Sequence, residues 1–387
     1  VELLGSALPS LVEFVAGVAN LLGVGAAEGF AGLLHRVFVG DLLGLHQRPQ
    51  RLVQRLHTFL RAGHERRRDL VRFALTYFAS TFYIELAPYQ TAMLDRFQAV
   101  ILGGGREAHA VRRGGLKSTC ARVAAIWAAV YGHRRFVVLV GATDDKSNEH
   151  RENFFHLMAS SHLLSEDFPE VTPLILKAKQ PKRQFRLNGK LLTLHPKDDR
   201  GRIVFPDIPG SVSSQVHVAP FSLMATDVSG LSYIQNDGRV IRPDLLIFDD
   251  VQTPQSSTSP SQTDEREDLI TKTFIGLAGL GVEMAAVMVC TVRAHQDLTE
   301  RFMDRKRHPD WHGKVWKSVL RMPERMDLWD RYAALLGSGD TPKDGKAAAQ
   351  DFYAHTNWVD QPAKGAVSAS NPPGLGQSGR ARWLDPR

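Results

Sequence analysis

The 387-residue chain has 48 Lys and Arg against 41 Asp and Glu and a formal charge of +7, a balance that attracts polyanions without requiring them. Its length allows about two domains. Its two cysteines, Cys120 and Cys290, lie in apolar runs and read as core residues of a protein in a reducing compartment, which excludes a disulfide framework or a zinc cage.

Residues 1–45 are rich in Leu, Ala, Gly and Val, but Glu13 and Glu28 bracket only a short apolar run, whereas a membrane span needs about 20 such residues. No basic leader or small-residue cleavage site marks a signal peptide. Residues 1–64 are therefore expected to be an apolar N-terminal extension. Helical spacing begins at residues 70–78. Further on, 108–111 read as a short strand, 113–119 as a loop, the Ala-rich run 120–130 as a helix, and the continuous apolar run 135–143 as a strand buried on both faces. Together they make a βαβ unit. Residues 243–250, Pro-Asp-Leu-Leu-Ile-Phe-Asp-Asp, predict a strand ending in two carboxylates, and 284–291 predict another ending in Thr291. Arg134, Arg135 and the basic run 177–186 are candidate polyanion contacts, with solvated charged loops as the plainer reading. His295, His308 and His312 lack metal-ligand spacing and read as surface or packing residues; Trp311, Trp316 and Trp329 read as core or interdomain anchors, and 310–313 as a turn. Beyond residue 335 the composition becomes linker-like, and 363–377 is a Gly/Ser/Pro/Ala-rich stretch without periodicity. The expected divisions are 1–64, 65–335 and 336–387.

Two segments carry chemistry. Residues 113–119, Arg-Gly-Gly-Leu-Lys-Ser-Thr, stand between a strand and a helix, where backbone N–H groups of a Gly-Gly turn can converge on a phosphate. Gly114, Gly115, Leu116, Lys117, Ser118 and Thr119 are the expected nucleotide-binding residues, with Lys117 reaching the β/γ oxygens and Ser118 ligating Mg²⁺. Leu116 departs from the usual phosphate-binding loop, in which glycine precedes the lysine. The competing reading is a basic, glycine-containing turn. At the second segment Asp249 is assigned to the Mg²⁺ shell and Asp250 to polarising the attacking water. An Asp-Asp turn at a strand end is the plain alternative. Thr291 is a candidate sensor of the γ-phosphate, equally compatible with a threonine that merely ends a strand. The whole predicts an α/β P-loop NTPase core, a mainly parallel sheet flanked by helices, with ATP and Mg²⁺ at its carboxyl edge.

These motifs in combination resemble the large subunit of tailed-phage terminases, over roughly residues 65–355. Residues 85–90 are similar to the family's adenine-side segment, which implies a nucleotide contact for Gln90. The loop 113–119 is similar to the family's deviant loop, with Arg113 at the position of its cis-acting arginine. Residues 168–171, 204–207 and 242–253 match the middle of the ATPase domain, and Cys290-Thr291 with Asp297-Leu298 resembles the coupling motif. The resemblance implies an ATP-hydrolysing motor that packages double-stranded DNA into a prohead in the host cytoplasm. It would act with a portal protein and a terminase small subunit, as a ring of like subunits, away from membranes. The family's C-terminal nuclease domain is expected to be absent, since only Asp360 and Asp385 are acidic after Tyr353. A helicase-like DNA-dependent ATPase, or a remnant that only binds DNA or terminase partners, are the alternative readings.

Overall fold

The computed structural model describes residues 67–168, 183–187, 190–194, 202–207, 211–279, 281–321, 325–339, 341–355 and 367–368. The expected N-terminal extension, most of the basic run 177–186 and most of the Gly/Ser/Pro/Ala-rich tail lie outside the described residues.

In chain order the strands are β1 (Gly105–Ala110), β2 (Phe136–Gly141), the hairpin β3 (Arg183–Leu187) and β4 (Lys190–Leu194), β5 (Ile203–Val204), β6 (His217–Ser222), the hairpin β7 (Tyr233–Ile234) and β8 (Val240–Ile241), β9 (Leu245–Asp249), β10 (Ala285–Cys290), β11 (His312–Val315), and the pair β12 (Val319–Arg321) and β13 (Val367–Ser368). Seven of them form one sheet in the order β11-β1-β10-β9-β2-β6-β5, parallel throughout except that β5 runs against β6. The described helices are α1 (Leu70–Tyr77), α2 (Pro88–Gly103), α3 (Lys117–Val130), α4 (Asp144–Ala159), α5 (His162–Asp167), α6 (Pro254–Ser257), α7 (Pro260–Asp268), α8 (Leu298–Met303), α9 (Met326–Leu336) and α10 (Pro342–His355).

The continuous apolar strands are explained by burial on both faces. Val137, Leu139, Leu245, Ile247, Val287 and Val289 enter a core shared with α1 to α4; their neighbours Phe136, Val138, Leu246, Phe248, Ala286 and Met288 enter a second core with Ile270, Phe274, Phe302 and Trp311. The alternation of a strand thus divides one apolar run between two cores, as expected of a covered parallel sheet. Cys120 and Cys290 are free and buried, and burial pushes both thiols up to about 12, so they behave as small apolar residues.

Two expectations are corrected. The expected turn at 310–313 instead leads into edge strand β11, in which Gly313 packs so closely on α8 that a Cβ would lie 2.6 Å from the Met303 Cα. Arg134 and Arg135 are not solvated loop charges. Arg134 is buried and donates to the Ile101 and Val100 carbonyls at the end of α2, at 2.8 and 3.4 Å, and to the Glu283 carbonyl at 2.9 Å; Arg135 donates to the Val212 and Ser214 carbonyls at 2.8 and 2.5 Å. The carbonyls near the end of α2 are suited to a cation such as Arg134. The linker-like segment after residue 335 includes the helix α10.

A buried ion cluster ties α7 to the loop after α8. Glu267 accepts from Arg301 at 2.7 Å, from Arg307 at 2.5 and 2.7 Å, and pairs with His308 at 2.7 Å. Burial acts to raise its carboxyl, but the bonds from Arg307, Arg301 and His308 outweigh it and hold the group down to about 2. A carboxylate depressed in the folded state contributes stability above its unfolded value and loses it as pH falls through the folded one. Glu267→Gln is therefore expected to cost about 2 kcal/mol or more at neutral pH, because Arg301 and Arg307 lose their counter-charge. Thermal unfolding of parent and variant should converge between pH 4.5 and about 2; a pH-independent gap would contradict the assignment.

Candidate nucleotide site at the carboxyl edge of the sheet

Strand register assembles the site. Ala110 of β1 stands opposite Cys290 of β10, and Val289 of β10 opposite Asp249 of β9, so three strands end at one level. The residues that follow each strand, from Val111, Thr291 and Asp250 onward, therefore leave the sheet side by side. The Val111 amide donates to the Cys290 carbonyl at 2.8 Å and the Asp250 amide to the Val289 carbonyl at 3.0 Å, which carries the pairing one residue past the strands.

The loop between β1 and α3 is built for close backbone approach. Gly114 has φ +73°, and Gly115 is buried where a Cβ would lie 2.7 Å from Val111 Cγ1 and 3.0 Å from the Tyr89 hydroxyl. Leu116 takes the left-handed conformation, φ 61°, that the more usual glycine adopts without strain. No side chain caps the start of α3. Its first amides are available to an anion, which the helix dipole favours.

Side chains from separate strands meet over this loop. The Ser118 hydroxyl donates to Asp249 Oδ1 at 2.7 Å, and Lys117 Nζ lies 3.1 Å from Asp250 Oδ2. Asp250 has φ 45°, and its Oδ1 accepts from the Thr291 amide at 3.1 Å. The Thr291 hydroxyl is buried and makes no hydrogen bond among the described residues. Lys117, Ser118, Asp249, Asp250 and Thr291 are thus brought together. Thr119 follows, half-buried, on the first turn of α3.

Gln90 reaches the loop in another way. Its Oε1 accepts from the Ala87 amide at 2.8 Å, its Nε2 donates to the Gly115 carbonyl at 3.3 Å, and the side chain is buried, so within the chain it braces the loop against α2. Tyr89 donates to the same carbonyl at 3.1 Å. Arg113 is exposed at the loop's rim and makes no hydrogen bond or ion pair among the described residues, so it does not cap neighbouring carbonyls.

The donor set fits a magnesium ion. Ser118 and Asp249 offer adjacent hard oxygens, and burial pushes the Asp249 carboxyl upward, against the influence of His150 and Ser118. A buried carboxylate of this kind is relieved by a cation. Among the described residues no group of three or more His, Cys, Asp or Glu could hold a metal alone, and magnesium bound by one or two protein oxygens with phosphate and water needs none.

The sequence reading assigned no role to His150 or Arg122. His150 Nδ1 is 3.5 Å from Asp249 Oδ2; burial holds its imidazole below the usual range, and neither ring nitrogen has a hydrogen bond among the described residues. Burial likewise lowers Arg122, against the opposing influence of Asp249 and Glu149. The i+4 spacing from Ser118 to Arg122 was the available signal; nothing local placed His150.

Loop geometry sets opposite expectations for adjacent positions. Gly115→Ala should destabilise the fold by about 1–3 kcal/mol through overpacking. Leu116→Gly relieves a left-handed leucine and is expected to leave the melting temperature unchanged or higher, whereas Leu116→Val, β-branched at positive φ, should lose about 1–2 kcal/mol. Calorimetric unfolding of the three variants checks this, and a destabilised Leu116→Gly would refute the strain at that residue.

No family model matches the chain, and no curated protein matches it. Among solved structures the chain is similar to the large terminase of bacteriophage HK97, with 13% identity and a TM-score of 0.41 over 79% of this chain and 55% of that one. It is also similar to a mutant of the large-terminase ATPase domain of Thermus phage P74-26, with 14% identity and a TM-score of 0.33 over 66% of this chain and 95% of that one. The chain therefore spans about half the length of the HK97 protein. These two structures are of phage large terminases.

Proposed function

We propose that the chain hydrolyses ATP and, as the motor subunit of a terminase, uses that hydrolysis to move double-stranded DNA into a prohead. The observation that carries the reading is the meeting of two motifs 131 positions apart, as the Ser118 hydroxyl bonds Asp249 at 2.7 Å beside the Lys117–Asp250 pair. In this reading the backbone of Gly114, Gly115 and Leu116 cradles the phosphates, with Lys117 on the β/γ oxygens and Thr119 at the helix start. Ser118 and Asp249 would hold Mg²⁺, which supplies charge neutralisation to the polyphosphate when bound. Gln90 keeps the loop in place from the purine side.

Asp250 accepts a proton from the attacking water as its oxygen bonds to the γ-phosphorus, and the bond from that phosphorus to the β–γ bridging oxygen breaks. Lys117 and Arg113 meet the charge that develops on the transferred group. The Thr291 hydroxyl, buried and beside Asp250, is placed to gain or lose a hydrogen bond with the terminal phosphate and so to report hydrolysis. Duplex DNA, a portal protein, a terminase small subunit and a ring of like subunits are the partners that accompany this reading. Within the described residues no helix is long and apolar enough to cross a membrane.

Turnover of the purified chain with and without duplex DNA tests the proposal; stimulation by DNA is expected, and no hydrolysis under either condition would reject it. Lys117→Ala should lower turnover about 10³-fold or more. Asp250→Asn, which keeps the size and tolerates positive φ, should bind Mg·ATP yet hydrolyse it very slowly; loss of binding by calorimetry would mean that Asp250 serves the metal instead. Arg113→Lys keeps the charge but not the planar fork, and is expected to lose most turnover with unchanged ATP affinity and melting temperature.

A further inference from the structure

We infer that Arg293 joins Lys117 as a cation for the terminal phosphate in the bound ground state, apart from the transition-state role given to Arg113, and is the residue by which this site tells a nucleoside triphosphate from a diphosphate, an inference that rests on the nucleotide-hydrolase reading. The observation is a convergence on one atom. Asp250 Oδ2 lies 3.1 Å from Lys117 Nζ and 4.0 Å from the Arg293 guanidinium, while the other oxygen of the same carboxylate accepts the Thr291 amide. Two cations from different strand ends and one backbone N–H thus enclose a single anionic group. Such a triad of donors is an anion site whose present occupant is the chain's own carboxylate.

Arg293 is held for this task by its backbone. Its amide donates to Asp297 Oδ2 at 2.7 Å, and Asp297, fully buried, uses its other oxygen to accept from the Glu300 amide at 2.9 Å and cap α8. The Arg293 side chain is 18% exposed, and its guanidinium makes no other hydrogen bond or ion pair among the described residues. It lines the same crevice as Asp250, Gln252 and Thr291. Arg113, by contrast, stands exposed at the outer rim of the loop.

A phosphate entering between Lys117 and Arg293 presents more charge and more acceptor oxygens than a carboxylate, and the planar fork of arginine suits it. It displaces the Asp250 carboxylate from both cations and frees it to accept a proton. The α- and β-phosphates are served by the loop backbone and Lys117, so a diphosphate gains nothing from Arg293. The residue therefore contributes to triphosphate affinity alone.

The test is calorimetric titration of the full chain, its Arg293→Ala and its Arg293→Lys variants with Mg·AMP-PNP and with Mg·ADP, alongside melting temperatures without nucleotide. Arg293→Ala should weaken AMP-PNP binding about tenfold with ADP binding and melting temperature unchanged. Arg293→Lys should fall between, since it keeps the charge and loses the fork. Equal weakening of both nucleotides, or of neither, would overturn the inference while leaving the hydrolase reading intact. A variant that melts lower and loses both nucleotides would assign Arg293 to the loop's structure instead. A parent chain that binds neither nucleotide would overturn both.

Discussion

The parallel pairing of β1 with β10 and of β10 with β9 is the constraint on which the candidate site depends. Because Ala110, Cys290 and Asp249 end at one level, the glycine loop, Thr291 and the paired acids leave the sheet as neighbours. A slip of one residue in either pairing would send each strand's core residues to the opposite face and unmake both hydrophobic cores. Packing on two faces therefore enforces the alignment that the polar contacts use. The bond from Ser118 to Asp249 is a consequence of that register rather than its cause.

Charge is compensated in two layers around the paired acids. Asp250 is met by Lys117 and Arg293 on the solvent side, while Asp249, deeper, has Ser118 as its hydrogen-bond donor, with His150 and Arg122 nearby. Burial drives Asp249 and His150 each toward its neutral form. A divalent cation beside Asp249 would favour the carboxylate and reverse that tendency.

The site is also wired to the elements around it. Gln252, two residues beyond Asp250, accepts the Leu298 amide at 2.7 Å and donates to the Thr263 hydroxyl at 3.0 Å, joining the acid-bearing turn to α8 and α7. On the other side Tyr89 binds the Gly115 carbonyl, and its ring lies 6.0 Å from that of Trp316, whose indole donates to His109 in β1. Any shift of the loop or of the acid-bearing turn is thus felt by helices on both faces of the sheet.

Local sequence determined much of this protein. Continuous apolar runs marked β2, β9 and β10 because a strand buried on both faces has no polar side to show, and the paired glycines of 114–115 marked a loop of close backbone approach because glycine lacks a Cβ. Leu116 was legible as a departure, but its left-handed backbone was not, since φ is not written in residue type. The first two residues of edge strand β11 were read as part of a turn because His312 and Gly313 carry no apolar pattern; pairing with β1 and contact with α8 decide it. Arg134 and Arg135 looked like solvated charge until the tertiary structure brought backbone carbonyls to them. His150 and the facing of Arg293 toward Asp250 likewise belong to the tertiary structure. They depend on distances between segments far apart in the chain, which spacing along the sequence does not encode.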